Sequence, residues 1–271
     1  MNNVLNDTLN KKDILIQDLL GAIENNQFVL YYQPIIQIDR NQIIGVEALV
    51  RWNHPKYGLI SPIEFIPIAE KTGMIFQLGN WVIKRACEQM KELERKGFPK
   101  LRVMVNISPL QLVESSFLYM VKQILSETRI EPYLLDFEIT ESVEIEPTKE
   151  VLETVKELKS LGIHMSMDDF GTGFSSLIHL RDFPFDTVKI DQTFVKNLEI
   201  DPTNQIIIEN VIVLGKKLKL RVIAEGVETA GQLDFLKKNS CFGVQGYYFS
   251  KPIPYNELLR FMQKMNLKVQ S

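Results

Sequence analysis

The stretch KEVLETVKELKSLGIHMSMDDFGTG, residues 149–173, holds the unit on which the fold depends. Its first part, Lys149–Leu161, has the apolar spacing of an amphipathic helix. His164–Asp168 is a short apolar run, as expected of a buried strand. Two carboxylates, Asp168 and Asp169, stand at the end of that strand. The order of helix, buried strand and strand-end polar residue is typical of parallel α/β proteins.

Similar units occur on both sides of this stretch. Seven further short runs are predicted strands because they are rich in β-branched and aromatic residues: Phe28–Gln33, Ile43–Trp52, Arg102–Asn106, Leu135–Thr140, Thr187–Ile190, Val222–Ala224 and Phe242–Gln245. Helical patterns lie between them at Pro62–Lys71, Trp81–Lys96, Asn204–Leu218 and Thr229–Asn239. Eight strands that mostly alternate with helices predict a TIM-like (β/α)8 barrel of the α/β class.

The barrel is expected to be irregular. The join between its first two strands, IDRNQ, is short and turn-like, which predicts a hairpin with the first strand antiparallel to the second. Residues 1–20 are set apart from the barrel domain at 21–271. Apolar residues near Leu15 and Leu19 predict an amphipathic lead-in helix there. This helix either docks on the barrel or is the remainder of a connector.

Composition excludes several classes of protein. The chain has 271 residues, of which 45% are hydrophobic and 24% charged, as in ordinary globular proteins. A net charge of −3 argues against a binder of nucleic-acid polymers. Cys87 and Cys241 lack CxxC spacing, so neither a disulfide framework nor a thiolate metal site is expected. With no export signal or bilayer-length apolar run, the expected location is cytoplasmic.

Polar side chains fall near the same end of nearly every predicted strand. They are Gln33, Glu47, Asn106, Glu138, Asp168, Asp169, Lys189, Asp191, Glu225 and Gln245. In a barrel these ends meet on the face where active sites are built. Carboxylates gathered there repel one another and call for a cation. The candidate metal ligands offer only oxygen, which suits Mg²⁺ or Mn²⁺: Glu47, Asn106, Glu138, Asp168 and Asp169.

The adjacent pair Asp168 and Asp169 suggests two ions. One carboxylate can bridge two metals while its neighbour binds the second. Two metals roughly 3.5–4 Å apart are common in phosphodiester hydrolysis. Simpler interpretations stay open, because a lone strand-end acid is often a helix cap. The acid pair could form only a turn, and Lys189 could reach the surface through its flexible stem.

The segment DDFGTGFSSL also has two interpretations. It is either a tight turn that leads into a helix near Ser175 or Ser176, or a mobile loop positioned by the metal-binding acids. Glu141 either holds this loop through backbone N–H groups or is a first-turn acid of a helix. The histidines show no ligand spacing. His164 is expected in a strand, whereas His54 and His179 are expected in loops or helices.

EALVRW, at Glu47–Trp52, resembles the signature of EAL-domain cyclic di-GMP phosphodiesterases. The likeness covers about Gln27 to Pro254 and includes, in the family's order, YYQPI, FIPIAEKTG, VNIS, FEITES, DDFGTGFSSL, VKID, AEGVET and QGYYFSKP. The resemblance implies metal-dependent hydrolysis of cyclic di-GMP to linear 5′-pGpG. It also implies Mg²⁺ or Mn²⁺, two ions per site, and a homodimer. Any upstream sensor or further protein partner would lie outside this chain.

The resemblance implies a role for each candidate residue. The first metal would be held by Glu47, Asn106, Glu138 and Asp168, and the second by Asp168 with Asp169. The catalytic group would comprise Glu225 as general base, Lys189 beside the attacking water and Glu141 as a brace of the metal loop. The residues assigned to the substrate are Gln33, Leu49, Arg51, Asp191 and Gln245, and Gln245 would also support the second metal.

Two other functions share parts of this pattern. A catalytically silent cyclic di-GMP receptor or protein-interaction module would be expected to lack some of the acids, and none is missing. A barrel enzyme that stabilises an enolate would also gather carboxylates and a lysine, but the adjacent acid pair fits a two-metal hydrolase better.

Overall fold

The computed structural model describes residues 2–140, 148–173 and 176–265. Its strands are β1 Phe28–Gln37, β2 Gln42–His54, β3 Gly58–Ile60, β4 Arg102–Asn106, β5 Leu135–Thr140, β6 His164–Phe170, β7 Thr187–Ile190, β8 Arg221–Ala224, β9 Gly243–Val244 and β10 Ile253–Pro254. The α-helices are α1 Asn2–Ala22, α2 Pro62–Thr72, α3 Met74–Arg95, α4 Pro109–Val113, α5 Phe117–Thr128, α6 Lys149–Ser160, α7 Ser176–Asp182, α8 Gln192–Lys196, α9 Pro202–Leu218, α10 Ala230–Lys238 and α11 Tyr255–Lys264. A 3₁₀ turn, Pro132–Leu134, precedes β5.

Eight of the strands close into a barrel in the order β1-β9-β8-β7-β6-β5-β4-β2, and β2 pairs back with β1. β3 and β10 extend the sheet as short outer partners of β2 and β1. The predicted TIM-like barrel is therefore confirmed. Its irregularity is also as predicted, because β1 is antiparallel to both β2 and β9 while the other barrel pairings are parallel.

The β1–β2 hairpin is longer than the sequence predicts. β1 runs to Gln37 rather than ending at Gln33, and it pairs with β2 up to the Gln37–Gln42 pair. Asn41 closes the turn with a φ of 49°, a left-handed conformation that asparagine tolerates. The sequence prediction missed this extension because it followed apolar residues, and the paired strand ends are the polar residues Gln37 and Gln42.

Alternation along each strand separates the helix-facing residues from the barrel interior. On β5, Phe137 packs against Phe117 of α5 with ring centroids 5.8 Å apart. Glu138, its neighbour, has the opposite orientation in a strand of period two. A small apolar layer of Ile35, Met104 and Ile223 fills the middle of the barrel. The strand-end polar residues lie beyond this layer, at the carboxyl ends of the parallel strands.

Helix α1 docks on the barrel through its second half. Leu15 and Leu19 are 2% and 1% exposed and belong to the main hydrophobic core. Asp18 contacts His54 of β2 at 3.0 Å. The proposed boundary after residue 20 falls inside α1, which ends at Ala22. The division of the chain into a lead-in segment and a barrel domain stays a prediction.

His54 differs from its prediction as a loop or helix residue, because it ends β2 and is 3% exposed. Its Nδ1 accepts hydrogen bonds from the backbone N–H groups of Lys56 and Tyr57. Nε2 therefore carries the ring N–H and donates a hydrogen bond to the Asp18 carboxylate. The other two histidines lie as predicted, His164 in β6 and His179 in α7. Among the described helices, none is both long and apolar enough to cross a membrane.

Candidate active site

Lys189 of β7 lies at the centre of the carboxyl-end rim and is fully buried. Its Nζ is 2.7 Å from Glu225, 2.9 Å from Glu138 and 3.3 Å from both Glu47 and Asp168. A buried ammonium needs such partners, because burial of an unpaired charge is costly. The interpretation of Lys189 as a surface-reaching side chain is wrong.

Glu47 is held by side-chain amides from two other strands. Asn106, at the end of β4, donates from Nδ2 to Glu47 Oε1 at 2.9 Å. Gln245, just after β9, donates from Nε2 to Glu47 Oε2 at 2.6 Å. The same Nε2 also donates to Gln33 Oε1 at 2.9 Å. Four of the predicted site residues thus form one hydrogen-bonded group.

Gln33 reaches this group for a different reason from the one the sequence suggested. It lies within β1 rather than at its end, and it pairs directly with Glu47 of β2. Because β1 is antiparallel, a strand end there would not lie at the same rim as the other carboxyl ends. Its Nε2 donates to the Ser250 carbonyl at 3.0 Å, so the amide is fixed from both sides.

The acid pair lies on a bulge of β6. The pairing of β6 with β7 shifts between Met167 and Phe170, which places one extra residue on β6. Asp169 has a φ of 55°, and its N–H donates to Asp168 Oδ1 at 3.0 Å. Because of the bulge, two consecutive carboxylates lie at the same rim, whereas in a regular strand they would face opposite sides of the sheet.

The acids form two groups that share one member. Glu47, Glu138 and Asp168 present oxygens within 4.8 Å of one another, and so do Asp168, Asp169 and Glu225. Five of the predicted site carboxylates, Glu47, Glu138, Asp168, Asp169 and Glu225, therefore lie close together. Asp168 belongs to both groups, which is the position expected of a bridging ligand.

Burial changes the protonation of these acids. It raises the pKa values of Glu138, Asp168 and Glu225, although the charge of Lys189 opposes the shift. Burial also raises the pKa of Glu47, but Lys189, Gln245 and Asn106 together lower it below its usual value. Such a mixture of raised and lowered values is typical of functional sites.

Asp169 and Lys189 are shifted as well. Burial, Asp168 and Asp191 raise the pKa of Asp169 to about 6. Burial opposes the charged form of Lys189, but the surrounding carboxylates raise its pKa well above the ordinary value. Lys189 therefore stays protonated at neutral pH and acts as a fixed positive charge.

The donor set suits a hard divalent cation. Glu138 Oε2 and Gln245 Oε1 are buried, and neither accepts a hydrogen bond from the described residues. Because Asn106 donates from its Nδ2, its amide oxygen is left as a possible ligand. Carboxylate and amide oxygens are the ligands that Mg²⁺ and Mn²⁺ prefer. The residues present therefore fit a metal.

Two hollows adjoin the acids. One, of about 250 Å³, is lined by Gln33, Glu47, Asp168, Glu225 and Gln245, together with Leu49, Gln192, Gly226, Glu228, Gly246 and Tyr247. The other, of about 500 Å³, is more apolar and shares Leu49 with the first. Asn106 and Asp169 lie on its wall. The metal candidates thus stand between two hollows that meet at Leu49.

The structure places the other substrate candidates less uniformly. Arg51 shares the β2 face of Glu47 and Leu49 by period-two alternation, and it lies 5.8 Å from the Tyr31 ring. Asp191 caps α8 by accepting hydrogen bonds from the N–H and hydroxyl of Thr193. Glu141 lies outside the described residues, as does Ser175, so the predicted bracing of the loop stays a prediction.

Sequence reasoning missed the glycines that bring the rim loops together. A Cβ on Gly226 would lie 2.5 Å from the Gln192 Cβ, and one on Gly246 would overlap the backbone of Val227. Both glycines immediately follow a polar residue of the site, Glu225 and Gln245. That adjacency is the signal in the sequence that would have indicated close packing of backbone.

Comparisons with known proteins agree with this geometry. The EAL domain model matches residues 16–252. The bifunctional diguanylate cyclase/cyclic di-GMP phosphodiesterase MucR of Pseudomonas aeruginosa is 40% identical over 245 residues, which is 90% of this chain and 36% of MucR. The cyclic di-GMP phosphodiesterase PdeR of Escherichia coli is 42% identical over 237 residues, which is 88% of this chain and 36% of PdeR. The chain thus spans about a third of these relatives.

Solved structures show the same barrel. The structure titled as the MucR phosphodiesterase in complex with c-di-GMP has a TM-score of 0.85 at 40% identity and covers 90% of this chain and 99% of that chain. An EAL domain protein from Listeria monocytogenes has a TM-score of 0.78 at 32% identity and covers 91% and 95%. With the family model matched over residues 16–252 and the same barrel in solved EAL structures, the chain belongs to the EAL domain family.

Proposed function

We propose that this domain hydrolyses cyclic di-GMP to linear 5′-pGpG with two Mg²⁺ or Mn²⁺ ions at the rim. The observation that carries the proposal is the fully buried Lys189 among four carboxylates, with Asp168 shared by two groups of acids. Relatives named as cyclic di-GMP phosphodiesterases support the choice of substrate.

Charge balance supports two ions rather than one. Glu47, Glu138, Asp168, Asp169 and Glu225 face the single ammonium of Lys189, a formal excess of four negative charges. Two divalent cations would neutralise that excess, whereas one would leave half of it. We assign the first ion to Glu47, Asn106, Glu138 and Asp168, and the second to Asp168 and Asp169. An enolate-stabilising enzyme would not need the second group of acids.

Each side chain has a distinct task in the proposed reaction. When bound, the metal ions would activate water and neutralise charge on the reacting phosphate. Glu225 accepts the proton of the attacking water, because its carboxylate lies beside Lys189 and within the second group of acids. Lys189 orients that water and stabilises negative charge that develops at the phosphate.

The substrate would lie across the two hollows. Arg51 offers a planar guanidinium, which suits a phosphate. Gln33, Gln245 and Leu49 line the hollow beside the metal ligands, and we assign them to the substrate together with Asp191. The apolar second hollow suits a base. Cyclic di-GMP carries two bases on one ring of two sugar phosphates, which matches two hollows that share Leu49.

The test is hydrolysis of cyclic di-GMP with Mn²⁺, followed by identification of the product by mass spectrometry. We expect linear 5′-pGpG, loss of turnover with EDTA, and loss of turnover in Glu47→Gln. Glu153→Gln, an exposed acid on α6, is the matched control and should be fully active. Binding of intact substrate in the presence of Mn²⁺ and Mg²⁺ would instead identify a receptor and end the enzymatic proposal.

Two features of the whole protein are also proposals. A homodimer and an upstream sensor both rest on the family, and the match to this chain covers only 36% of the curated relatives MucR and PdeR. Light scattering on the purified chain tests the first. A mass of two chains supports it, and a mass of one chain at all concentrations contradicts it for this domain.

A further inference from the structure

The loop that carries Glu225 is held between the two neighbouring rim loops. Its own N–H donates to the Ile190 carbonyl at 3.0 Å, directly after Lys189. On the other side, Val227 N–H donates to the Gln245 carbonyl at 3.1 Å. The position of Glu225 therefore depends on how firmly residues 225–229 are held against the segments that follow β7 and β9.

Gln232, in the first turn of α10, holds this loop with its side-chain amide. Its Oε1 accepts hydrogen bonds from the backbone N–H groups of Glu228 at 2.7 Å and Thr229 at 3.0 Å. Its Nε2 donates to the carbonyls of Val195 at 3.0 Å and Lys196 at 3.5 Å. Gln232 is 3% exposed, so water has little access to these hydrogen bonds.

Helix capping explains only part of this arrangement. The contact with Thr229 belongs to the capping box of α10, which any helix could use. The bonds from Nε2 instead lead to the last turn of α8, the helix that begins directly after Asp191. One buried amide thus uses both donors and its acceptor oxygen to join the segments after β7 and β8.

We propose that Gln232 is a positioning residue for the proposed hydrolysis, which clamps the Glu225 loop to α8 and so fixes Glu225 against Lys189 at 2.7 Å. Gln232 does not line either hollow beside the acids, so it acts through Glu225 rather than on substrate. The inference rests on the proposed function.

The two halves of the clamp can be separated by substitution. Gln232→Glu keeps the acceptor oxygen for Glu228 and Thr229 but replaces the donor to α8 by a second acceptor. Gln232→Met removes both halves at similar size. Gln89→Met is the matched control, because Gln89 is also buried, at 7% exposed, and accepts a hydrogen bond from Tyr32 on the helix-facing side of β1.

Kinetics distinguish positioning from a structural role. We expect a fall in kcat of ~10- to 100-fold in both Gln232 variants, as for small misplacements of catalytic groups, with little change in KM. Gln89→Met should lower the thermal midpoint without changing kcat. Unchanged kcat in both Gln232 variants, or an equal fall in Gln89→Met, would overturn the proposal.

Hydrogen exchange tests the clamp without turnover. Amides of residues 225–229 should exchange faster in Gln232→Met than in the wild-type protein, and those of residues 195–198 should do so in both variants. Unchanged exchange in these peptides would contradict the clamp. If the wild-type protein fails to hydrolyse cyclic di-GMP while exchange changes as expected, the failure belongs to the proposed function and not to the role of Gln232 as a clamp.

Discussion

Lys189 shows why a single buried charge can organise a whole site. Its ammonium is surrounded by carboxylates from β2, β5 and β6 and from the residue after β8. Because those acids raise its pKa, Lys189 does not act as a base. In return, the ammonium favours the charged form of every acid that it contacts. The site is thus held together by charge before any metal binds.

Replacement of Lys189 tests this dependence. Lys189→Met should lower kcat by ~100- to 1000-fold, the effect of removing a preorganised electrostatic group. In EDTA it should also destabilise the fold by about 3 to 5 kcal/mol, because the buried acids lose their partner. Lys84→Met, at an exposed ion pair with Glu127, is the control and should change neither. A fully active Lys189→Met enzyme would contradict the assigned role.

The strand-end residues could be predicted because their type contradicts their surroundings. Glu138 and Lys189 are charged residues inside short apolar runs, which makes sense only if they face one another. Gln33 lies at the predicted rim but not at a strand end, since β1 continues to Gln37. The clamp by Gln232 could not be predicted, because a glutamine three residues after a threonine indicates only a capping box.

The loops at the rim are as important as the strands that support them. Gly246 illustrates this, because its backbone lies directly against that of Val227. Only a residue without a Cβ allows the segment after β9 to reach the Glu225 loop. The geometry of the site therefore depends on close packing of loop backbones as well as on the barrel strands.

Gly246→Ala should lower both stability and turnover. The added Cβ overlaps backbone atoms that cannot rotate away, at a cost of about 1 to 3 kcal/mol. Gly97→Ala is a control that also costs about 1 to 2 kcal/mol of stability, because Gly97 has a φ of +80°. A Cβ at Gly97 would meet nothing within 4 Å, so no neighbouring loop has to move. Turnover of Gly97→Ala should match wild type. A Gly246→Ala variant as active as wild type would contradict the claim that turnover depends on close packing of these loops.

Substitutions in α1 test whether this helix packs stably on the barrel in solution. Leu19 is 1% exposed within the main core, whereas its neighbour Leu20 is 64% exposed. Leu19→Ala should cost about 2 to 5 kcal/mol of unfolding free energy, and Leu20→Ala should change it by less than about 0.5 kcal/mol. Urea unfolding measures both. Equal and small effects would mean that α1 behaves as a detachable connector in solution.

Most elements followed from periodicity, and the exceptions have physical reasons. The parallel strands were predicted within one or two residues, because burial on both faces makes them apolar throughout. The helices α4, α5, α8 and α11 were not predicted, and neither were the strands β3 and β10. β3 and β10 are only three and two residues long, too short for a period. The hairpin extension around Ile36 was missed because polar residues flank it.

The two ends of the barrel have different chemistry. At the carboxyl end, acids outnumber cations among the described residues, and two groups of these acids could hold a metal ion. At the other end, Asp186 contacts both His164 and Lys159 and accepts a hydrogen bond from Met165 N–H at 2.9 Å. That carboxylate is satisfied by the protein itself.

Asp186 should make stability depend on pH. Burial opposes its charged form, but His164, Lys159 and Met165 lower its pKa well below the usual value. A lowered folded-state pKa stabilises the protein above the unfolded pKa of about 4, and this contribution is lost as the pH falls further. In EDTA at pH 7, Asp186→Asn should cost about 1 to 2 kcal/mol, allowing for solvent screening of this half-buried group.

The cost should shrink below about pH 4, where the wild-type carboxylate of the unfolded chain takes up a proton. Asp39→Asn, on the exposed β1–β2 turn, is the matched control for removal of a carboxylate from the surface. Chemical unfolding at several pH values measures the difference between each variant and wild type. A constant difference across pH would contradict the assigned shift.

The location of bound Mn²⁺ tests the central claim most directly, since Mn²⁺ can be located by anomalous scattering in crystals of this chain. We predict two peaks at the rim, one among Glu47, Asn106, Glu138 and Asp168 and the other beside Asp168 and Asp169. Peaks only elsewhere, or an empty rim at saturating Mn²⁺ with the acids dispersed, would contradict it.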